Sequence, residues 1–383
     1  MGRIPLAEPA LRGNEWHYVK ECLDTNWIST SGSFVDRFER EMAQYVGAKY
    51  SVATITGTAA LHLSCLIIGV KEGDEVLVPT LTFIAPVNVV RYCGAYPVFM
   101  DCDQKTLCLD VEKVASFLAQ ECEIRSDGYT YNRATERRVS AVIPVHIFGY
   151  PTNMDALMEV CQQYNIRVIE DASESVGSQY RGRSTGLLGD IGCFSFNGNK
   201  IVTSGGGGMI ITNNELWAKR AYHLSTQAKR DPFIYDHDDI GYNYRLTNIA
   251  AALGVAQLEQ LDEFIKIKRN NAEQYRTLFA DLSEVSFLWE EPGVKSNFWF
   301  YTIRVGSEYK DPLMQFLLSR EIQISPIWTL IHTLDIYQQY QAYRVEHAFE
   351  AWKTCIHIPC GINLTEEQIN VVVKSIKDYF SHQ

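Results

Sequence analysis

The chain has 383 residues, 46% of them hydrophobic and 21% charged, the balance of a globular protein with room for two packed units; disorder, collagen-like repeats and small disulfide scaffolds are excluded. Its 35 basic and 46 acidic side chains leave a net charge of -11, so no overall basic surface points to nucleic acid or to an anionic membrane as a partner. No apolar run approaches the roughly 20 residues of a membrane span, and the start MGRIPLAEPALRG lacks the basic-then-apolar pattern of a signal peptide, so a cytoplasmic protein is expected. The ten cysteines are scattered through apolar stretches without a CxxC pair and read as buried, reduced thiols.

From Gly32 to Val46 the string GSFVDRFEREMAQYV places Phe34, Val35, Phe38, Met42 and Val46 on one face of an amphipathic helix, with Ser33 as its expected cap and Gly47 as its stop. The strand-like runs KYSVATI, EVLVP, YPVFMD, SAVIPVHI and IRVIED then alternate with helical patterns such as AALHLSCLIIGV, PVNVVRYC and MDALMEVCQQYN. That alternation predicts βαβ units around a parallel sheet buried on both faces. The polar stretch 121–139 interrupts the rhythm and is expected on the surface. Two further strands, DIGCFSF and GGMIIT, follow. Beyond Leu246 the chain reads as one long helix (TNIAAALGVAQLEQLDEFIKIKRNNAEQYRTLF), a strand (WFYTIRV), a helix around Pro312 to Ser319 and a last helix near Glu366 to Phe380. A boundary near residue 255 divides the chain into a large domain, 1–255, and a smaller α+β domain, 256–383.

Ligands of an open parallel sheet gather beyond the carboxyl ends of its strands, and four such places carry chemistry. In TITGTAALHL, Thr56, Gly57, Thr58 and Ala59 lie between a strand and a helix, where free N–H groups suit a phosphate or simply form a capped tight turn. In VIEDASES, Asp171 ends a strand with Glu174 three residues on; the carboxylate holds a cation or a protonated ring nitrogen, or else caps the turn. In CFSFNGNKIVTSGGGGMII, Lys200 sits in a polar connection between two strands, either as a solvated charge or as an amine that forms a Schiff base with a carbonyl. The run Gly205–Gly208, wedged between apolar segments, argues for a tight backbone path. In DDIGYNYRLTNIAAALG, Asn243 and Arg245 precede an apolar helix, where they reach a ligand or a neighbouring subunit or merely lead into the helix behind Thr247. His146, His332 and His357 lack paired ligand spacing, and neither HExxH nor GxSxG occurs, so no metal site is expected.

The order TGTAAL, PTLTFIAPVN, VIEDASES, FSFNGNK with IVTSGGGG, then GYNYRLTNIAAALG resembles the DegT/DnrJ-type nucleotide-sugar aminotransferases, from IPLAEPAL to CIHIPC. The resemblance implies the aspartate aminotransferase-like fold type I: an α/β architecture with a mostly parallel sheet flanked by helices and a smaller α+β C-terminal domain. It implies pyridoxal 5'-phosphate as cofactor, with Lys200 as the lysine that carries it and Asp171 as the carboxylate that keeps its pyridine nitrogen protonated. Gly57, Thr58, the backbone near Ala59, and Ser195 match the phosphate-binding set, and Phe83 matches the aromatic that stacks on the ring. Asn243 matches a residue given to the phosphate by a partner subunit, which implies a homodimer with shared sites. Glu174 stands where many members have glutamine near the ring oxygen, an extra carboxylate that must be protonated or turned away. Trp27, Ser29 and His332 are the substrate candidates, in loops where the family closes over the nucleotide sugar; packing is the competing reading for each. The four-glycine run resembles the subgroup acting on UDP-linked 4-keto sugars, of the bacillosamine and legionaminic acid type, so the expected reaction moves the amino group of L-glutamate to C4 of a UDP-linked 4-keto-6-deoxy-N-acetylhexosamine. A GDP- or dTDP-linked keto sugar, aminated at C3 or C4, is the alternative substrate, and a non-catalytic regulator that binds pyridoxal phosphate or a nucleotide sugar is the alternative from a different class.

Overall fold

The computed structural model describes residues 2–231 and 234–382. In chain order it contains α1 (Glu15–Asp24), α2 (Ser33–Val46), β1 (Tyr50–Thr54), α3 (Gly57–Ile68), β2 (Glu75–Pro79), α4 (Ala85–Tyr92), β3 (Tyr96–Met100) and α5 (Val111–Glu121). A surface hairpin, β4 (Cys122–Ile124) and β5 (Thr130–Asn132), occupies the stretch expected as an excursion and leads to β6 (Val139–Val142), α6 (Met154–Gln163) and β7 (Arg167–Asp171). Two short strands, β8 (Gln179–Tyr180) and β9 (Arg183–Ser184), precede β10 (Ile191–Ser195), β11 (Gly208–Thr212) and α7 (Glu215–Ser225). The remainder runs α8 (Asn248–Leu258), α9 (Leu261–Leu278), β12 (Ser286–Phe287), β13 (Val294–Lys295), β14 (Tyr301–Arg304), α10 (Ser307–Ser319), β15 (Ser325–Pro326), β16 (Ala342–Tyr343), α11 (His347–Thr354), β17 (Cys355–Ile358) and α12 (Glu366–Ser381).

Eight strands form the central sheet in the order β1-β11-β10-β7-β6-β2-β3-β16. Only β11 runs against its neighbours; the other pairings are parallel. The strands read as near-continuous apolar runs because both faces are covered, one by a core that includes Val76, Val78, Ile169 and Ile191, the other by Leu77, Val98, Val142 and Val168. The second sheet, β12-β14-β17-β15, is antiparallel and packs with α9 to α12 around Tyr275, Tyr301, Phe298 and Ile356. This is the fold type I architecture.

Several connections cross the expected boundary at residue 255. β16 joins the edge of the large sheet beside β3, β13 pairs with β8, and Ile4 bridges to Ile322. The first half of α9 packs with Phe38 and Met42, its second half with Tyr301 and Phe279, so one helix belongs to both cores.

Two local expectations are corrected. Ser33 is the first residue of α2 and not its cap; the Oδ1 of Asn248 accepts the N–H groups of Phe34 and Val35, at 3.0 and 3.3 Å, from the far end of the sequence. The long helix expected after Leu246 breaks at Glu259–Gln260, where the amides of Gln257 and Gln260 both turn to the buried carboxylate of Glu15. Gly47 does stop α2, in the left-handed conformation at φ 84°. All ten cysteines are free, and nine are buried. Among the described residues no helix is long and apolar enough to cross a membrane.

Candidate active site

The carboxyl ends of β7 and β10 and the start of α3 meet in one cavity of about 320 Å³, closed on its other side by Trp299, Phe300, Ser325, Pro326, Trp328 and His357 from the C-terminal region. Alternation along β7 sorts its two acids. Glu170 points away and is consumed structurally, taking the N–H groups of Gly186 and Gly189 at 2.8 and 2.6 Å and the Nε2 of His146 at 2.9 Å. Because Nδ1 of His146 accepts the N–H of Thr152, its Nε2 carries the proton that goes to Glu170, and this histidine is a packed one. Asp171 faces the cavity and accepts the N–H of Ser173 at 3.1 Å, so it caps the turn and lines the site at once. Burial pushes its carboxyl up, against the pull of Ser173, Lys200 and His146. An acid so placed keeps its charge when a cation such as a protonated ring nitrogen lies beside it.

Lys200 is held by a turn, its N–H on the carbonyl of Asn197, while the buried Ile201 and Val202 anchor the chain beyond it. The Nε1 of Trp299 donates to the carbonyl of Asn199 at 2.7 Å and fixes the same turn from the smaller domain. The ammonium lies 3.9 Å from the centre of the Trp299 ring and 3.6 Å from Oε1 of Glu174. The other oxygen of Glu174 accepts the N–H of Phe148 at 2.8 Å, a residue in the left-handed region at φ 57°. Burial pushes Glu174 up to about 7 in spite of the lysine and this hydrogen bond. The extra carboxylate is thus neither turned away nor fully committed to charge.

At the far end Thr56 caps α3 by accepting the N–H of Ala59 at 3.0 Å. Ala59, expected to offer its backbone to a phosphate, spends its N–H on that cap, and the groups at the helix mouth are those of Gly57 and Thr58. A Cβ on Gly57 would lie 2.7 Å from Cβ of Ser195, and one on Gly208 would lie 2.4 Å from the carbonyl oxygen of Thr56. These glycines let β10 and β11 close against the helix start, so the tight path expected of the glycine run holds at Gly207 and Gly208 and not at Gly205 and Gly206, which are open, and a small concave cradle remains with the hydroxyls of Thr58, Ser173 and Ser195 around it. Phe83, 55% exposed, presents its ring to the cavity. The Oγ1 of Thr82, also on this wall, is buried with no partner among the described residues. Helix-mouth donors, a buried acid, an amine and an aromatic face fit a flat, phosphorylated heterocyclic aldehyde, so the residues present suit pyridoxal phosphate.

The remaining expected residues lie elsewhere. Asn243 is exposed, in a backbone bridge with Thr226, and does not line the cavity of its own chain. Trp27 and Ser29 are exposed, and their carbonyls accept the side-chain and backbone N–H groups of Asn248 at 2.7 and 2.5 Å. His332 is half-buried, with Nδ1 2.5 Å from Oγ1 of Thr80 and its ring against Phe99 and Phe349; it lies outside the cavity lining. Burial pushes its imidazole down. The wall contributed by the C-terminal part of the chain escapes sequence reasoning, since Trp299, Trp328 and His357 stand about 100 residues or more from Lys200 in patterns that read as ordinary core. The cluster NFWF at 297–300 is the one signal that marks it. Among the described residues no group of acidic, histidine and cysteine side chains is arranged to hold a metal.

Comparison with known proteins identifies the family. The model of the DegT/DnrJ/EryC1/StrS aminotransferase family matches residues 9–377. The GDP-perosamine synthase of Escherichia coli O157:H7 is 37% identical over 383 residues, covering 100% of both chains. The putative pyridoxal phosphate-dependent aminotransferase EpsN of Bacillus subtilis is 35% identical, over 99% of this chain and 96% of its own. Among solved structures, the aminotransferase TlmJ of Streptoalloteichus hindustanus superposes with a TM-score of 0.90 at 26% identity, covering 99% of both chains.

Proposed function

The chain belongs to the DegT/DnrJ/EryC1/StrS aminotransferase family and is a pyridoxal phosphate-dependent nucleotide-sugar aminotransferase, and from that premise we propose that it moves the amino group of L-glutamate onto C4 of a GDP-linked 4-keto-6-deoxyhexose. The observation that carries the choice of nucleotide is the end-to-end likeness to a GDP-perosamine synthase. It outweighs the four-glycine run, which pointed to a UDP-linked N-acetylhexosamine, because the likeness spans the whole chain and the run only four residues.

When bound, pyridoxal phosphate supplies a conjugated electron sink and carries the amino group between the two substrates. Asp171 holds the proton on the ring nitrogen, the partner that a buried carboxyl with a raised proton affinity needs in order to stay charged. Lys200 would hold the cofactor at its aldehyde carbon, and its Nζ, displaced by the amino donor, would take the proton from the donor's α-carbon in the first half-reaction and deliver one to C4 of the sugar in the second. Glu174, 3.6 Å away and titrating near neutrality, keeps that amine able both to give and to take a proton. Gly57, Thr58 and Ser195 hold the phosphate, and Phe83 covers the ring. Asn243, exposed and outside its own chain's cavity, is placed to serve the phosphate of a second copy in the homodimer that the family resemblance implies.

The test is turnover with L-glutamate on GDP-, UDP- and dTDP-linked 4-keto-6-deoxy sugars. The expected kcat/KM for the GDP-linked sugar exceeds the others by about tenfold or more. A preference for the UDP-linked sugar would overturn the assignment of the nucleotide and leave the aminotransferase intact.

A further inference from the structure

Of the buried side-chain polar atoms without a partner among the described residues, two belong to residues that line the cavity: Oγ1 of Thr82 and Nε2 of His357. The others, on Asn271, Gln274 and Tyr275, belong to α9. His357 lies in β17, paired with Thr302 on one side and Ser325 on the other. Its Nδ1 is fixed 3.0 Å from Oγ1 of Thr302, its face stacks on Phe300 at 4.5 Å, and Phe148 meets it edge to face at 4.4 Å. The ring is therefore locked in orientation, and only the Nε2 edge is left to pair.

The position of that edge decides what it can meet. The candidate phosphate donors lie at the start of α3 and the end of β10 and the ring acid at the end of β7, whereas His357 lines the cavity together with Ser325, Pro326 and Trp328 of the C-terminal part of the chain. That wall bounds the space left for a substrate. Burial among aromatic rings pushes the imidazole down to about 3, so it is neutral at working pH. Among the described residues the only cation on the cavity wall is Lys200. An anion set against His357 would be buried without compensation, while a hydroxyl would satisfy both partners.

We propose that His357 is a specificity-determining residue that hydrogen-bonds a hydroxyl of the keto sugar through Nε2, with Thr302 holding the ring in place from behind. This rests on the assignment of the chain as an aminotransferase for a nucleotide-linked keto sugar, and it deepens that assignment by naming a contact on the sugar side. The nitrogen left unpaired in the free protein also gives discrimination: a sugar lacking the hydroxyl leaves it buried and unsatisfied, and is rejected.

Two variants separate this from a packing role. H357N keeps an amide near the Nδ1 position for Thr302 but ends short of Nε2; H357Q reaches the Nε2 position. The probe is whichever nucleotide-linked 4-keto sugar the wild type turns over, so a wrong choice of nucleotide shows in the wild type before any variant is compared. H357N is expected to raise KM for that sugar about tenfold. It should weaken binding of the corresponding amino-sugar product to the same extent, read from the fluorescence of Trp299 and Trp328. The rate at which L-glutamate bleaches the visible band should be unchanged, and H357Q should behave close to wild type. Equal losses in H357N and H357Q, an H357N with unaltered KM and product affinity, or a loss confined to the L-glutamate half-reaction would overturn the proposal.

Discussion

Replacing Glu174 by glutamine probes the electrostatics of the cavity. Burial pushes this acid from 4.5 up to about 7, and Lys200 and the Phe148 N–H only partly hold it down. Between those two values the folded chain keeps a proton that the unfolded chain has released. Because the native state binds the extra proton, stability falls as pH rises through this window and levels off above about pH 7. The full effect is worth about 3 kcal/mol, of which about 2 kcal/mol falls between pH 5 and pH 8. Glutamine retains an oxygen for the Phe148 N–H and has nothing to titrate. Urea unfolding of the cofactor-free protein at pH 5 and pH 8 measures the difference. The stability of E174Q relative to wild type should shift in the variant's favour by about 2 kcal/mol on going from pH 5 to pH 8. Parallel changes in the two proteins would refute the reasoning, since every other titrating group is common to both.

K200A should still fold and bind pyridoxal phosphate through the helix mouth and Asp171, but kcat should fall by about 1000-fold or more, with partial recovery on adding a small primary amine; an active variant without added amine would remove Lys200 from the mechanism. In G57A the new methyl meets Cβ of Ser195 at 2.7 Å, so the cradle must open, and equilibrium dialysis should find cofactor affinity reduced about tenfold or more. N248A leaves the N–H groups of Phe34 and Val35 without their acceptor in a buried setting and should cost about 2 kcal/mol in urea unfolding, although it lies outside the cavity.

Legibility in the sequence followed a physical division. Asp171, Lys200, Gly57 and Thr58 drew notice because each lies beyond an apolar run that a parallel sheet buried on both faces makes conspicuous, whereas their expected roles, and Ser195 altogether, came from the family resemblance. The cap of α2 was not, since its acceptor, Asn248, lies over 200 residues away and Ser33 offered a local substitute of the right chemistry. The break between α8 and α9 depends on Glu15, a charged residue whose burial nothing local announces. The smaller domain's wall was illegible for the same reason: Trp328 and His357 acquire their role only when β15 and β17 pair, and in sequence each is an isolated residue among core neighbours. Trp27, Ser29 and His332 illustrate the reverse, chosen from loop position, while on a single chain they stand away from the cavity or behind it.

The most direct measurement follows the visible absorbance of the purified, cofactor-loaded protein through addition of L-glutamate and then of a GDP-linked 4-keto-6-deoxyhexose. The account predicts a band that fades with L-glutamate and returns with the GDP-linked sugar, and that returns far more slowly with a UDP-linked 4-keto-6-deoxy-N-acetylhexosamine. A band that never forms with pyridoxal phosphate, or one that L-glutamate does not bleach, would contradict the roles of Lys200 and Asp171 on which everything else depends.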